Sequence, residues 1–274
     1  MRKVEMSRLP SPMQKAAEII LRDGLTSLFV RIIKSRYFRI SDRVNSFLYR
    51  QVIGQMDRIA ARNIPNSRKF TLIYKKQLWL KAVPHLNPDK SLSGHGSTLA
   101  STRVLRGELE HFLREHNTQK FFDAPCGDFN WMKHVKLPDD CDYLGGDIVP
   151  RLIANLQKDC KGPRRQFINF DLIVDVFPSA DVWLCRDCLQ HLSHSDIILV
   201  LNNFRRSEVK HALILNYVGV KQNIDINTGG FRFVDLTLPP FDLPPPRQKL
   251  SDVCADGVPR YIGVWRREDM RPIP

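Results

Sequence analysis

Lys120-Phe121-Phe122-Asp123-Ala124-Pro125-Cys126-Gly127-Asp128 runs from a short apolar segment into a turn, and Tyr143-Leu144-Gly145-Gly146-Asp147 is the next such segment. Four to six residues of this kind, bounded by Pro, Gly and Asp, read as strands that end in loops. Gly127 allows the backbone to approach a ligand closely, and a helix starting behind it offers unpaired N–H groups. Asp147 closes the second strand, 24 positions after Asp123, where a carboxylate can grip vicinal ribose hydroxyls. With a single glycine, the turn is not a dinucleotide fingerprint of the G-x-G-x-x-G type.

The alternation extends on both sides of this pair. A helix is expected over Arg103–His116 ahead of the first strand, Lys120–Ala124. Another is expected around Phe129–Val135, and a third over Pro150–Asp159. Further strands are expected at Phe167–Phe170, Asp181–Cys185 and His211–Tyr217, with a helix from Asp196 to Phe204 between the last two. Ser193 and Asp196 give that helix an S-x-x-D start resembling a capping box. Strands alternating with helices through short connections predict a doubly wound, mostly parallel α/β sheet, with ligands beyond the carboxyl ends of its strands.

FTLIYKKQLW, SGHGS, FFDAPCGDFNWM, YLGGDIVP and WLCRDCLQHLS together resemble a little-characterised bacterial group of class I S-adenosylmethionine-dependent methyltransferases. The resemblance implies a Rossmann-like, seven-stranded sheet whose last strand, about Arg260–Arg266, is antiparallel. It implies S-adenosylmethionine as cofactor, with its amino-acid portion at Asp123, Cys126 and Gly127. Asp147 would hold the ribose and Ile148 would lie beside the adenine, with Phe170 lining that pocket and Asp171 accepting from the adenine amino group. Where the family's glycine-rich turn has its outer glycines, this chain has Pro125 and Phe129. Taken singly, Asp147 also reads as a helix cap and Asp171 as a turn acid. The loop Ser93–Ser97 reads either as a linker or as a flap over the cofactor.

Cys185-Arg186-Asp187-Cys188-Leu189-Gln190-His191-Leu192-Ser193-His194 follows the fourth strand. The two cysteines and two histidines are too compressed for a tetrahedral zinc set, which separates its ligand pairs by a longer loop, so no metal is expected. A similar L-x-H-L stretch occurs in small-molecule methyltransferases resembling quinone-biosynthesis enzymes. His191 is the first candidate for a general base and Asp187 the second, since methylation of a hydroxyl needs its proton removed. Helix packing is the alternative for His191. Arg186 reads either as a contact for an acidic substrate or as a partner of Asp187.

Residues 1–90 hold 19 basic and 6 acidic residues, whereas residues 91–274 hold 23 of each, so the net charge of +13 belongs to the first third. Leu25, Leu28, Phe29, Ile32 and Ile33 recur there at helical spacing among arginines and lysines. A basic helical extension over residues 1–92 and a methyltransferase domain over residues 93–274 are therefore expected. The extension reads as a cap on the domain, with an accessory contact of residues 1–62 to an anionic membrane surface or RNA as the alternative. Pro239, Pro240, Pro244, Pro245 and Pro246 exclude a helix and form either a pocket wall or a connector. Six scattered cysteines form no disulfide framework, and no signal-like or bilayer-length apolar run occurs, so a cytoplasmic location is expected.

These features narrow the function to methyl transfer onto a small-molecule or glycan-type acceptor. An RNA or protein methyltransferase, or a cofactor-binding protein without catalysis, are the alternatives. The formally neutral second part favours the first, because a long polyanion needs positive charge beside the reaction groove.

Overall fold

A computed structural model describes residues 49–273 of the chain. Its organising element is β1 (Lys120–Asp123), whose last three residues are buried between parallel neighbours on either side. The other strands are β2 (Asp142–Asp147), β3 (Arg165–Asn169), β4 (Val182–Cys185), β5 (His211–Tyr217), β6 (Gln248–Ser251) and β7 (Arg260–Arg266). They form a single sheet in the order β3-β2-β1-β4-β5-β7-β6. Strands β1 to β5 pair in parallel, while β7 runs antiparallel to both β5 and β6. Every residue of β4 is buried, as is β5 from Ala212 onward, as expected of strands covered on both faces.

Amphipathic helices cover the sheet because their apolar residues repeat at three- and four-residue steps. In α4 (Arg103–Glu115) these are Leu105, Leu109, Phe112 and Leu113; in α5 (Pro150–Asp159), Leu152, Ile153 and Leu156. In α6 (His194–Arg206) they are Ile197, Val200, Leu201 and Phe204. Ser193 caps α6 by accepting from the Asp196 N–H at 3.2 Å. The reciprocal half of the expected box is not made, because the Asp196 carboxylate accepts from Thr228 and Asn66 instead.

Two expectations change, and one strand is new. The helix expected around Phe129–Val135 is only a 3-10 turn, Met132–His134. Phe129 takes a left-handed φ of 58° and packs its ring between Tyr143 and Phe167, which turns the chain away from helix. Phe70–Leu80, which as a sequence reads as one short helix, is divided between two, α2 (Asn66–Lys75) and α3 (Leu78–Ala82), broken where Gln77 has a φ of 53°. The short edge strand β6 was not anticipated, since only Leu250 of its four residues is buried and no alternation shows.

A compact unit begins at Gln51, well inside the segment expected as an extension. Helix α1 (residues 49–60) contributes Val52, Met56 and Ile59 to the common core, and α2 contributes Phe70 and Ile73. The helical stripe expected from Leu25 to Ile33 lies outside the described residues. The proline segment is packed rather than loose: Phe241 and Leu243 are buried, and the Trp265 indole donates to the Pro244 carbonyl at 2.7 Å. With Arg247, Asp269 and Arg271 it walls a cleft of about 740 Å³. Among the described residues, no helix is long and apolar enough to cross a membrane.

Candidate active site

The sheet order reverses between β1 and β4, so a crevice opens beyond the carboxyl ends of the central strands. Strand β2 outlasts β1: Asp123 pairs with Gly145, whereas Asp147 is two residues further on, opposite Asn169 of β3. The Cys126 N–H donates to the Gly146 carbonyl at 2.8 Å, folding the turn after β1 back onto β2. The next N–H, of Gly127, then donates to Asp147 Oδ2 at 3.2 Å. Asp123, Cys126, Gly127 and Asp147 thus come together at one crevice wall. Gly127 has a φ of 56°, and a Cβ there would lie 2.5 Å from Ser93 Oγ, so glycine is required twice over.

Both acids of this wall are buried. Burial raises Asp147 to about 6 against the lowering effect of the Val149 and Gly127 N–H groups. Burial likewise raises Asp123 to about 7, although the Tyr143 hydroxyl donates to it at 2.7 Å. Phe170 is buried edge-on to Phe122 and Phe177, with its Cβ against Gly146, while Ile148 is half-buried beside Asp147. Asp171 caps its own turn by accepting from the Ile173 N–H at 3.0 Å. That is the turn-acid role it also suggested as a sequence.

The cover of the crevice comes from residues 70–97. Asp128 accepts from Ser91 Oγ and the Leu92 N–H, and the Asp128 N–H donates to Ser93 Oγ at 2.9 Å. Ser93 Oγ also lies 2.9 Å from the Tyr74 hydroxyl. Tyr74 meets Trp79 edge-on at 4.9 Å, and Trp79 in turn lies 5.3 Å from the His191 ring. The Trp79 indole N–H is buried without a hydrogen-bond partner. As a sequence, Tyr74 and Trp79 read only as residues of a short helix and Ser93 as part of a linker or flap; nothing in the spacing places the two aromatic rings at the site. Tyr143 was missed because its hydroxyl finds Asp123 only across two paired strands.

The segment after β4 divides its candidates sharply. His191 is buried between Trp79 and Phe231, and its Nδ1 lies 2.7 Å from the Gly230 carbonyl. A carbonyl only accepts, so Nδ1 carries the hydrogen and Nε2 keeps the lone pair. Burial lowers His191 to about 4, so the ring is neutral at physiological pH. Asp187 behaves differently. Burial would raise it, but Arg260 and Arg186 outweigh that and hold it well below the usual carboxylate range. It accepts from Arg186, Gln190 and Arg260, which makes it a poor proton acceptor.

Arg186 is buried and spends its donors inside the chain, on both oxygens of Asp252, on Asp187 and on the Gly96 carbonyl. Its guanidinium also lies over the Trp131 ring at 5.5 Å. Four of its five N–H donors are engaged in this way, which is the internal ion pairing that stood as the alternative to a substrate contact. The network closes with Arg260, which lies 3.3 Å from Asp187 and from Asp252. Gly96 fits beneath it because a Cβ there would stand 2.5 Å from Asp187 Oδ2.

Human N-acetylserotonin methyltransferase in complex with SAM superposes with a TM-score of 0.51 at 12% identity, covering 81% of this chain and 67% of that one. PigF with SAH gives 0.53 at 12% identity, covering 83% and 72%. The chain has the class I methyltransferase fold. A third class I methyltransferase, the mitomycin 7-O-methyltransferase MmcR, gives 0.52 at 14% identity, covering 80% and 68%. No protein-family model and no curated protein matches the sequence. At these identities the methyltransferase fold is shared while side chains have diverged, which accords with Pro125 and Phe129 standing in the turn after β1.

Proposed function

We propose that this protein is an enzyme transferring a methyl group from S-adenosylmethionine to a small-molecule or glycan-type acceptor. The observation that carries the reading is the hydrogen bond from the Gly127 N–H to Asp147, which joins the glycine turn to the acid ending β2. In this reading Asp147 holds the ribose hydroxyls, and Asp123, Cys126 and Gly127 face the amino-acid portion. Ile148, Phe170 and Asp171 take the adenine, Asp171 through a carboxylate oxygen not turned to the Ile173 N–H. When bound, the cofactor supplies an electrophilic methyl, and the chain chiefly aligns the acceptor for in-line attack.

His191 is the proton acceptor in this scheme: its Nε2 would take the proton of the acceptor hydroxyl, while the bound cofactor would supply the methyl group and leave as its neutral thioether. The Gly230 carbonyl fixes the tautomer that makes this nitrogen available. Asp187, Arg186, Arg260 and Asp252 position the turn that carries His191 and take no proton. Two fold neighbours are named for small-molecule methylation, in keeping with this acceptor class. The basic excess of residues 1–90 supports a second reading, an RNA or protein methyltransferase.

The test is calorimetric titration of S-adenosylmethionine and its demethylated product into the wild type and a folded Asp147→Ala variant. Binding by the wild type and a clear loss in the variant are expected. Equal affinity in the two, or no binding by either, overturns the assignment. A labelled-methyl screen across glycan, quinone, lipid and RNA fractions then separates the acceptor classes, and also the non-catalytic alternative.

A further inference from the structure

Beside this site, a histidine, a cysteine and an aspartate from two distant stretches of chain converge. His95 comes from the Ser93–Ser97 loop, and Cys254 and Asp256 come from the turn between β6 and β7. Their ligand atoms all lie within 4.8 Å of one another, with His95 Nε2 and Asp256 Oδ2 2.9 Å apart. Among the described residues this is the one such group of metal-ligating side chains; the Cys185, Cys188, His191 and His194 set does not gather. The geometry points to a zinc site made by His95, Cys254 and Asp256, with a water as fourth ligand.

The local structure presents the three groups together. The Gly257 N–H donates to the Cys254 carbonyl at 3.1 Å, and Gly257 has a φ of 71°, closing a tight turn with Cys254 and Asp256 at one end. Asp256 Oδ1 accepts from the Val258 N–H at 3.0 Å, which leaves Oδ2 turned to the imidazole. The His95 carbonyl accepts from the Thr98 N–H and hydroxyl, which anchors the backbone that carries the ring. Outer partners of this kind orient metal ligands. Cys254 is buried, while the side chains of His95 and Asp256 are 23% and 22% exposed, so an ion can enter from one side.

The donor chemistry selects the metal. Imidazole and thiolate favour zinc over calcium or magnesium, which take oxygen ligands. With Zn–N and Zn–O near 2.1 Å, tetrahedral ligand atoms stand about 3.4 Å apart, so the His95–Asp256 pair opens by about half an ångström. Binding displaces one proton from the imidazole nitrogen and one from the thiol. The thiolate and carboxylate then match the two charges of the ion. Arg260 is the nearby cation, and its charge is already met by Asp187 and Asp252. The ion would pin the loop whose Ser93 packs over Gly127 to the turn before β7. It acts as a clasp for the site and takes no part in proton transfer.

The experiment uses tag-free, full-length protein stripped with chelator and titrated with Co²⁺ and then Zn²⁺. One equivalent of Co²⁺ should bind with a thiolate-to-cobalt charge-transfer absorption, and Zn²⁺ should displace it. Cys254→Ser should abolish that absorption, whereas Cys188→Ser should leave it intact. Asp256→Asn keeps the thiol and should weaken Co²⁺ binding by about tenfold or more. That variant carries the test if Cys254→Ser does not fold. Failure to bind one equivalent, an absorption that survives Cys254→Ser, or unchanged affinity in Asp256→Asn each overturns the site.

Discussion

Asp123 and Asp147 sit in the same buried wall with pKa values raised to about 7 and about 6. A ligand that brings a positive charge and hydroxyl donors stabilises their ionised forms, so its binding must drive protons off. The sign follows: apparent affinity for S-adenosylmethionine should rise as pH climbs through 6 to 7 and then level off. Calorimetry in buffers of different ionisation enthalpy should record net proton release near pH 6.5, reduced in Asp147→Asn. Proton uptake, or no exchange, would contradict the arrangement. His191 makes the opposite kind of prediction. Its conjugate acid is lowered to about 4, so the neutral ring persists throughout the physiological range, but it is a weak proton acceptor. His191→Ala should cut turnover by about 10²-fold, the low end of general-base effects, while cofactor affinity is kept. The wild-type rate should show no inflection near the ordinary histidine value; one that vanished in His191→Ala would show that burial does not govern this ring.

The turn into α6 shows how a local rule is modified by its surroundings. Ser193 serves as the N-cap, but its own N–H donates to Thr228 Oγ1 at 2.8 Å rather than to Asp196. Thr228 in turn donates to Asp196, so the segment before Gly229 completes the cap that the sequence motif leaves half-made. Ser193→Ala should therefore destabilise the protein by about 1 kcal/mol, the usual cost of losing a serine cap. Thr228→Val should cost at least as much, because it leaves the buried side of Asp196 without that donor. Chemical denaturation of the two variants checks the order; a neutral Thr228→Val would mean that the cap stands without the segment.

Residues 51–62 belong energetically with the sheet, whatever the basic residues before them do. Val52, Met56 and Ile59 are all nearly inaccessible, and burying a side chain of this size contributes about 1.5–3 kcal/mol. A chain starting at Gln51 should melt close to the full-length protein and retain cofactor binding. One starting at Asn63 should melt well below it or aggregate, since it bares the surface those three side chains cover. Equal melting temperatures for the two truncations would return the helix to an accessory role. Docking by the basic residues is a separate proposal: if residues 1–62 serve it, full-length protein should bind anionic vesicles or RNA with strong salt dependence, because exposed charges are screened within about 8 Å at physiological ionic strength, and no binding at low salt would count against it.

The parallel sheet was legible in the residues because its cause is local. Apolar runs such as Val182–Cys185 and His211–Tyr217, separated by helical periodicity, have few other ways to bury themselves. The same holds for Gly127 and Asp147, which mark the ends of adjacent strands and so share a crevice once the strands pair. Chain proximity could not reveal the partners. Asp252 and Arg260 complete the Arg186–Asp187 network from the far edge of the sheet, and His95 reaches Asp256 across 161 residues. Whether Arg186 faced a substrate or a carboxylate of its own chain depended on that crossing, as did the neutral state of His191. Desolvation and ion pairing are properties of an assembled interior, and three-dimensional packing alone sets them.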